Sequence, residues 1–370
     1  MTATDELTIV GTGDLVLGIP HADRLFGACA EHLRAADVAV GHVEVPHTDT
    51  PDLQGRPGLP TERLDVLRDV GIGVATLAGN HVYDCGASGI AETRAALEAR
   101  GILPVGAGPD LEAARRPVTV ERRGRRIGFL SYNAVGPTST WATDSKAGCA
   151  YVRILTAYEL DYASPGAQPE VFTVAEPRSL WAMQGDVARL GDEVDVVVVS
   201  FHKGLVHVPA TLATYEVQLG RAAIDAGAHV VLGHHGHVTQ GIELYRDRPI
   251  YHGLGNFVTV TPVLSTRHEG GKDSWAQRRL ELFGFQPDPR MPDYYAFHPE
   301  SRHTMLASVR VAPDGRVEAG FLPCWIDETA QPVPAEGELA RTVVDYIRRS
   351  GERAGLSTTY AHRDGRVVAG

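Results

Sequence analysis

The sequence has few cysteines and no long apolar run. Its four cysteines are far apart and form no C-x-x-C pair, which predicts reduced thiols rather than a disulfide framework. No segment approaches the ~20 apolar residues of a membrane span. The first residues, M-T-A-T-D-E-L, have neither the basic start nor the apolar centre of a signal peptide. We therefore expect a cytoplasmic protein without a membrane partner.

The sequence also has fewer basic than acidic residues. The 46 acidic residues outnumber the 35 lysines and arginines, which gives a formal net charge of −11. This balance argues against a nucleic-acid backbone or an anionic membrane as the main partner. It does not exclude a small anionic substrate, because metal ions make a site locally positive.

Short apolar segments alternate with segments of helical spacing, which is typical of an α/β fold. Strands are predicted at 7–10, 37–40, 72–78, 195–200, 230–232 and 249–252, a β-hairpin at 305–321, and a helix at 339–349. Residues 134–177 and 261–303 show no clear period, and we expect them to form the walls that select the substrate. Without repeats or a linker, the simplest prediction is one domain spanning 1–370. Its core covers about 7–260, and 261–370 form an extension with a lid, a hairpin and a helix.

Residues 230–238 read V-V-L-G-H-H-G-H-V, a buried strand that stops and presents imidazoles. Side chains alternate along an extended chain. His235 and His237 should therefore share one side. His234 should lie on the other side, where it would at most support the ligands without binding the metal itself. A polar loop with a chance cluster of histidines is the alternative interpretation.

Six predicted strands end in glycine followed by a polar side chain. These side chains are Asp14, Glu44, Asn80 with His81, His202, His235 with His237, and Asn256. Open α/β sheets bind ligands at the carboxyl ends of their strands. Carboxylate, amide and imidazole groups are ligands that suit Mn, Fe or Zn. A pair of such ions ~3.5–4 Å apart would hold both the attacking and the leaving oxygen of a hydrolysis.

Five motifs occur in the order found in CapA-type (poly-γ-glutamate capsule biosynthesis) proteins. They are T-G-D-L-V-L-G, A-G-N-H-V-Y-D-C-G, the lone histidine after the valine strand, G-H-H-G-H-V-T-Q-G-I-E and G-L-G-N-F. The sequence resembles this family from about residue 7 to 260, and the family looks like a branch of the calcineurin-like metallophosphoesterases. The resemblance implies a four-layer α/β/β/α sandwich with two divalent ions at the sheet edge.

The resemblance also implies roles for individual residues. It assigns as metal ligands Asp14, Glu44, Asn80, His202, His235 and His237. His81 would protonate or stabilise the leaving oxygen, or else support the ligands from behind. Asp84 would either orient His81 or bond the turn that follows it.

The sequence departs from the family pattern at several positions. Phosphoesterases of this fold carry Asp-x-His in the first motif, whereas Leu15 and Val16 follow Asp14. One ion therefore lacks a ligand unless His42 supplies it.

Lys203 stands where the family commonly has tryptophan. Lys203 and His207 would make the site more positive, which suggests an anionic substrate. A solvent-facing lysine is the alternative. Asn256 is a further candidate for substrate binding.

Two hypotheses about function follow. The first is a hydrolase in which a metal-bound hydroxide attacks a phosphoester or amide-like bond of a small anionic substrate. The second is a non-hydrolytic or accessory protein in the biosynthesis of poly-γ-glutamate or a peptide-like metabolite. A nuclease is disfavoured because the chain is acidic and has no basic stripe.

Overall fold

The structure is a computed structural model that describes residues 6–159, 170–264 and 280–370. The strands are β1 (Leu7–Leu17), β2 (Val38–Val43), β3 (Ile72–Thr76), β4 (Leu103–Val105), β5 (Ala107–Gly108), β6 (Val118–Arg122), β7 (Arg125–Asn133), β8 (Gly148–Cys149), β9 (Ile154–Glu159), β10 (Glu170–Ala175), β11 (Val196–Lys203), β12 (Val230–His235), β13 (Ile242–Tyr245), β14 (Arg248–Tyr251), β15 (Asn256–Val260), β16 (His303–Val311), β17 (Val317–Glu318), β18 (Gly320–Ile326), β19 (Pro332–Pro334), β20 (Tyr360–Arg363) and β21 (Arg366–Ala369). The helices are α1 (Cys29–Ala35), α2 (Asp65–Asp69), α3 (Gly86–Glu98), α4 (Leu111–Arg115), α5 (Pro177–Gly191), α6 (Thr214–Asp225) and α7 (Gly337–Arg353).

Two sheets form the centre of the molecule. The larger has 11 strands with the order β20-β21-β18-β16-β1-β2-β3-β4, and β15, β17 and β19 pair beside β1, β16 and β18. The smaller has six strands with the order β13-β14-β12-β11-β7-β6. Within them, β1, β2 and β3 run parallel to one another, as do β7, β11 and β12.

Alternation along the strands fixes the layers. Ile9 of β1 and Val198 of β11 belong to one apolar cluster between the sheets. Their neighbours point the other way: Val10 packs with residues of α1, α2 and α3, and Val199 packs with residues of α5 and α6. Because successive side chains face opposite sides of a strand, each sheet has one face against the other sheet and one against helices. The predicted four-layer α/β/β/α sandwich is confirmed.

The C-terminal hairpin and helix are confirmed as β16 with β18, and as α7. The hairpin extends the larger sheet, because β16 pairs antiparallel with β1. A second hairpin, β20 and β21, continues the same sheet through β18 and was not predicted.

β1 is longer than its apolar stretch predicts. Residues 7–10 were expected, yet the strand continues to Leu17. Its second half pairs in parallel with β15, which places Asp14 opposite Asn256, while on the other side Asp14 pairs with His42 of β2. Asp14 is therefore held on two sides by strands rather than in a loop.

The four cysteines are buried free thiols. In the described parts of the chain, none of the helices has the length and apolarity that a membrane crossing requires.

Candidate metal centre

Asp14 is the centre of a buried cluster at the carboxyl ends of β1, β2, β11 and β12. Its side chain is fully buried. Its Oδ1 lies 3.1 Å from Nδ1 of His234, and its Oδ2 accepts a 3.3 Å hydrogen bond from the amide of His235. The His237 ring bridges the carboxylates of Asp14 and Glu44, with nitrogen–oxygen distances of 3.4 Å to each.

Potential ligand atoms converge in two groups that share Asp14. In each group the atoms lie within 4.8 Å of one another: one consists of Asp14, His42 and His202, the other of Asp14, Glu44 and His237. A further meeting point joins Asn80 Oδ1 to His202 Nε2 at 2.6 Å, and His202 Nε2 to His235 Nδ1 at 3.0 Å. The seven residues predicted as ligands are therefore brought together, although their roles as ligands stay predictions.

Buried polar atoms in this cluster lack ordinary partners. His42 Nε2, Glu44 Oε2 and His202 Nδ1 have no hydrogen-bond partner within the described part of the chain. Leaving such an atom buried and unsatisfied costs ~1–3 kcal/mol, and an ion would satisfy it. The donor set, which combines carboxylates, an amide and imidazoles, fits divalent transition metals.

The electrostatics keep most of the imidazoles neutral, as metal ligands must be. Burial, helped by neighbouring histidines, lowers the pKa of His42 to about 4 and that of His235 to about 3. Burial and the Glu44 charge raise the pKa of Asp14 to about 7. Burial opposes a charge on His237, but Glu44 and Asp14 outweigh it and raise its pKa to about 9.

The prediction that His234 lies on the opposite side from the ligands is wrong. His234 continues the face of β12 that looks toward the other sheet, and its ring stacks on His42 with centroids 4.5 Å apart. His235 would then point toward the helices, but its φ of 92° is left-handed and turns the chain, as does the φ of 53° at His237. The period of two ends at His235, so all three rings reach the cluster.

His42 lies on β2 directly opposite Asp14 of β1. Its Nδ1 lies 3.0 Å from Thr76 Oγ1, which fixes the ring and leaves Nε2 toward the cluster. Its ring centroid lies 4.8 Å from that of His202. This placement supports the prediction that His42 is a substitute ligand.

His81 and Asp84 form a pair at the mouth of the cluster. His81 Nδ1 lies 2.8 Å from Asp84 Oδ2, and the His81 side chain is 44% exposed. Although burial opposes a charged ring, the hydrogen bond to Asp84 and the charge of Glu44 raise the pKa of His81. Both residues line a cavity of about 430 Å³, together with Glu44 and His237. The pair therefore faces the cavity, where a bound molecule could exchange a proton with the His81 ring.

The expectation that Lys203 contacts an anionic substrate requires correction. Its side chain has no exposed surface, and its Nζ donates to Glu216 Oε2 at 3.1 Å and to the carbonyl of His252 at 3.0 Å. Lys203 shares the helix-facing side of β11 with Phe201, whereas His202 points toward the other sheet. The ammonium therefore neutralises a buried carboxylate of α6 instead of facing the cavity.

Asn256 and His207 both contact the His237 ring on the side away from the cavity. Asn256 is fully buried; its Oδ1 lies 2.8 Å from His237 Nδ1 and its Nδ2 donates to the Tyr295 hydroxyl at 3.2 Å. The His207 ring stacks 5.5 Å from that of His237, and Phe297 packs on His237 at 5.0 Å. These positions orient His237, which disagrees with the prediction that Asn256 and His207 bind substrate.

The cavity walls differ in part from the prediction. Residues 261–264 and Phe297 line the cavity, as expected for the 261–303 stretch, of which 265–279 lie outside the described residues. None of the described residues in 134–177 lines it. The proline-rich loop 45–59 does so instead, with Arg56 and Arg63. No periodicity or motif marks this loop, because its role depends on which element it lies beside.

These observations define the chain as an α/β/β/α sandwich protein with a buried carboxylate and imidazole cluster at its strand ends. Residues 8–261 match the family described as bacterial capsule synthesis protein PGA_cap. The chain therefore belongs to that family, and the predicted resemblance is confirmed.

Individual relatives agree with this assignment. The chain is 27% identical over 268 residues to the PGA biosynthesis protein CapA of Bacillus subtilis (strain 168), covering 69% of this chain and 63% of that protein. It is 35% identical over 223 residues to a probable polyglutamine synthesis accessory protein of Mycobacterium tuberculosis (strain H37Rv), covering 58% of this chain and 51% of that protein. The matched segments span less than two thirds of these relatives.

Among solved structures, the chain is similar to the calcineurin-like phosphoesterase YfkN from Bacillus subtilis. The TM-score is 0.42 at 11% identity, covering 94% of this chain and 98% of that chain. The fold assignment depends on the layer order described above and not on this similarity.

Proposed function

We propose that the protein is a metal-dependent hydrolase that cleaves a phosphoester or an amide-like bond of a small anionic substrate. The observation that carries this proposal is the pair of ligand groups sharing Asp14. Both groups are buried, three of their polar atoms (His42 Nε2, Glu44 Oε2 and His202 Nδ1) have no hydrogen-bond partner in the described part of the chain, and a cavity opens beside them. A structural metal site has no need of such a cavity.

Divalent ions in this cluster would acidify a bound water and stabilise negative charge on the reacting group. The chain's own residues would do the rest. Asp14, His42, Glu44, Asn80, His202, His235 and His237 would hold the ions. His81, fixed by Asp84 through Nδ1, would give a proton to the leaving oxygen or nitrogen through Nε2.

Metal analysis of purified variants tests the ligand assignment. We expect about two Mn, Fe or Zn ions per chain in the native protein, because its ligand atoms form two groups. Asp14→Asn should lose both ions, since Asp14 belongs to both groups, whereas His42→Ala and His237→Ala should each lose one. His32→Ala, on the exposed side of α1, is the matched control and should lose none.

Turnover of bis(p-nitrophenyl) phosphate, p-nitrophenyl phosphate and γ-glutamyl p-nitroanilide should follow the metal content. Less than one transition-metal ion per chain, unchanged when His235 and His237 are replaced, would overturn the proposal.

The second candidate is an accessory role in making a γ-glutamyl polymer or a peptide-like metabolite. The names of the relatives favour it, because one is called a PGA biosynthesis protein and another a probable polyglutamine synthesis accessory protein. Metal-loaded protein that turns over none of these probes yet binds a polyanionic peptide in calorimetry would favour this role.

A further inference from the structure

We propose that Arg63 binds a carboxylate of the substrate, held apart from the reacting group by an apolar segment. This inference rests on the proposed function, since it places the reacting group at the cluster. It adds a second recognition group to the cavity, a cationic side chain that is not one of the proposed metal ligands.

The cavity has three kinds of lining. The reacting side contributes Glu44, His81 and His237. Apolar walls are formed by Val16, Val45, Leu59, Val263, Leu264 and Phe297. The cationic side chains are Arg56 and Arg63. A cavity of about 430 Å³ with mostly apolar walls and a few polar groups is typical of a site for a small molecule.

Arg63 is the cation that lacks a counter-ion. Its Nη1 donates to the carbonyl of Leu17 at 2.8 Å, and no acidic side chain among residues 6–159, 170–264 and 280–370 forms an ion pair with it. Burial lowers the pKa of Arg63, as expected for a guanidinium partly removed from water and not compensated. A partly buried guanidinium without an ion-pair partner can form charge-assisted hydrogen bonds with an anionic ligand in the cavity.

Arg56, unlike Arg63, has a counter-ion and an exposed side chain. Its Nε donates to Asp52 Oδ2 at 2.5 Å, and its side chain is 50% exposed. Asp52 therefore neutralises Arg56, which leaves one uncompensated positive charge in the cavity wall. A single guanidinium matches the single charge and planar shape of a carboxylate.

Backbone hydrogen bonds connect the loop before Arg63 to the turn that carries His81. The amide of Leu53 donates to the carbonyl of Asp84 at 2.7 Å, and the amide of Thr48 donates to the carbonyl of Leu59 at 2.6 Å. The loop that precedes Arg63 is thus tied to the turn that carries His81. Such an arrangement selects substrates by the spacing between their carboxylate and the bond that reacts.

Calorimetry on the full-length protein as purified tests this assignment with 4-phenylbutyrate, its neutral amide and phenyl phosphate. We expect the carboxylate to bind about tenfold more tightly than the amide, since one charge-assisted hydrogen-bonded contact contributes about that factor. Arg63→Gln should reduce the preference to less than twofold, whereas Arg56→Gln should leave it unchanged. Phenyl phosphate, if bound at the cluster, should be insensitive to Arg63→Gln.

Phenylglyoxal labelling followed by peptide mass mapping gives an answer that does not depend on the folding of a variant. The carboxylate should protect Arg63 from modification at least fivefold and the amide should not, while Arg56 serves as the internal control in both samples. A preference that survives Arg63→Gln, or an Arg63 that is not protected, would overturn the inference. If the protein shows no metal-dependent turnover but still binds the carboxylate more tightly than the amide, the proposed function is overturned and the role of Arg63 is not.

Discussion

Replacing Lys203 with methionine separates a structural role for this residue from a role in binding substrate. The native ammonium is surrounded by acceptors: Glu216 Oε2 at 3.1 Å, the His252 carbonyl at 3.0 Å and His252 Nδ1 at 3.4 Å. Methionine fills a similar volume but removes the cation. The carboxylate of Glu216, which is 2% exposed, would then be buried without its partner.

Breaking a buried ion pair from one side costs ~3–5 kcal/mol. For 370 residues the unfolding entropy is about 0.8 kcal/mol/K, from ~2.1 cal/mol/K per residue. The expected decrease in Tm is therefore roughly 4–6 °C. The double variant Lys203→Met with Glu216→Gln should recover at least half of the lost stability, because glutamine is uncharged. Its side-chain oxygen can still accept the hydrogen bond that the amide of Ala213 donates to Glu216 Oε1 at 2.8 Å in the native protein.

Calorimetric melting and urea denaturation of the single and double variants measure these values, and KM for an anionic phosphoester is determined alongside them. We expect a large loss of stability in Lys203→Met with KM changed less than threefold. A loss below about 1 kcal/mol, combined with a tenfold increase in KM, would refute the structural role and restore Lys203 as a substrate contact.

Two further predictions concern single histidines. His81→Gln should lower kcat about a hundredfold, as for loss of a general acid, with metal content unchanged; loss of metal in parallel would instead make His81 a ligand. His229 lies outside the cluster, and its Nδ1 accepts a 3.1 Å hydrogen bond from the amide of Val197 in the neighbouring strand. Burial lowers the pKa of His229 from 6.5 to about 4. The unfolded chain therefore takes up this proton first, so the free energy of unfolding should fall by up to ~3 kcal/mol as the pH decreases from 6.5 to 4. Other buried histidines with a lowered pKa add to the same pH dependence, so His229→Asn should reduce the decrease between pH 7 and pH 4.5 in urea titrations by roughly 2–3 kcal/mol. An unchanged pH dependence would contradict this prediction.

Many of the strands and helices were predictable because they follow from the local periodicity of apolar residues. Valine-rich strands such as Val196–Lys203 are buried on both faces, and helices of clear apolar spacing cover them. The two hairpin strands around residues 313–315 pair as expected. Where a strand depended on a distant partner, local pattern was insufficient: β1 reaches Leu17 only because β15, more than 200 residues later in the chain, pairs with it.

For the site, the sequence by itself determined which residue types gather at the strand ends, since glycine and polar side chains follow each apolar run and parallel strands share one edge. Tertiary structure decided how they are used. The positive φ at His235 and His237 turned these two rings toward the cluster that His234 already faces, and the helix packed on β11 made Lys203 an internal counter-ion. Arg63 became a cavity residue through the path of a loop without any periodic pattern. Alternation along a strand is local, whereas burial of a charge depends on the elements packed around it, and these come from distant parts of the chain.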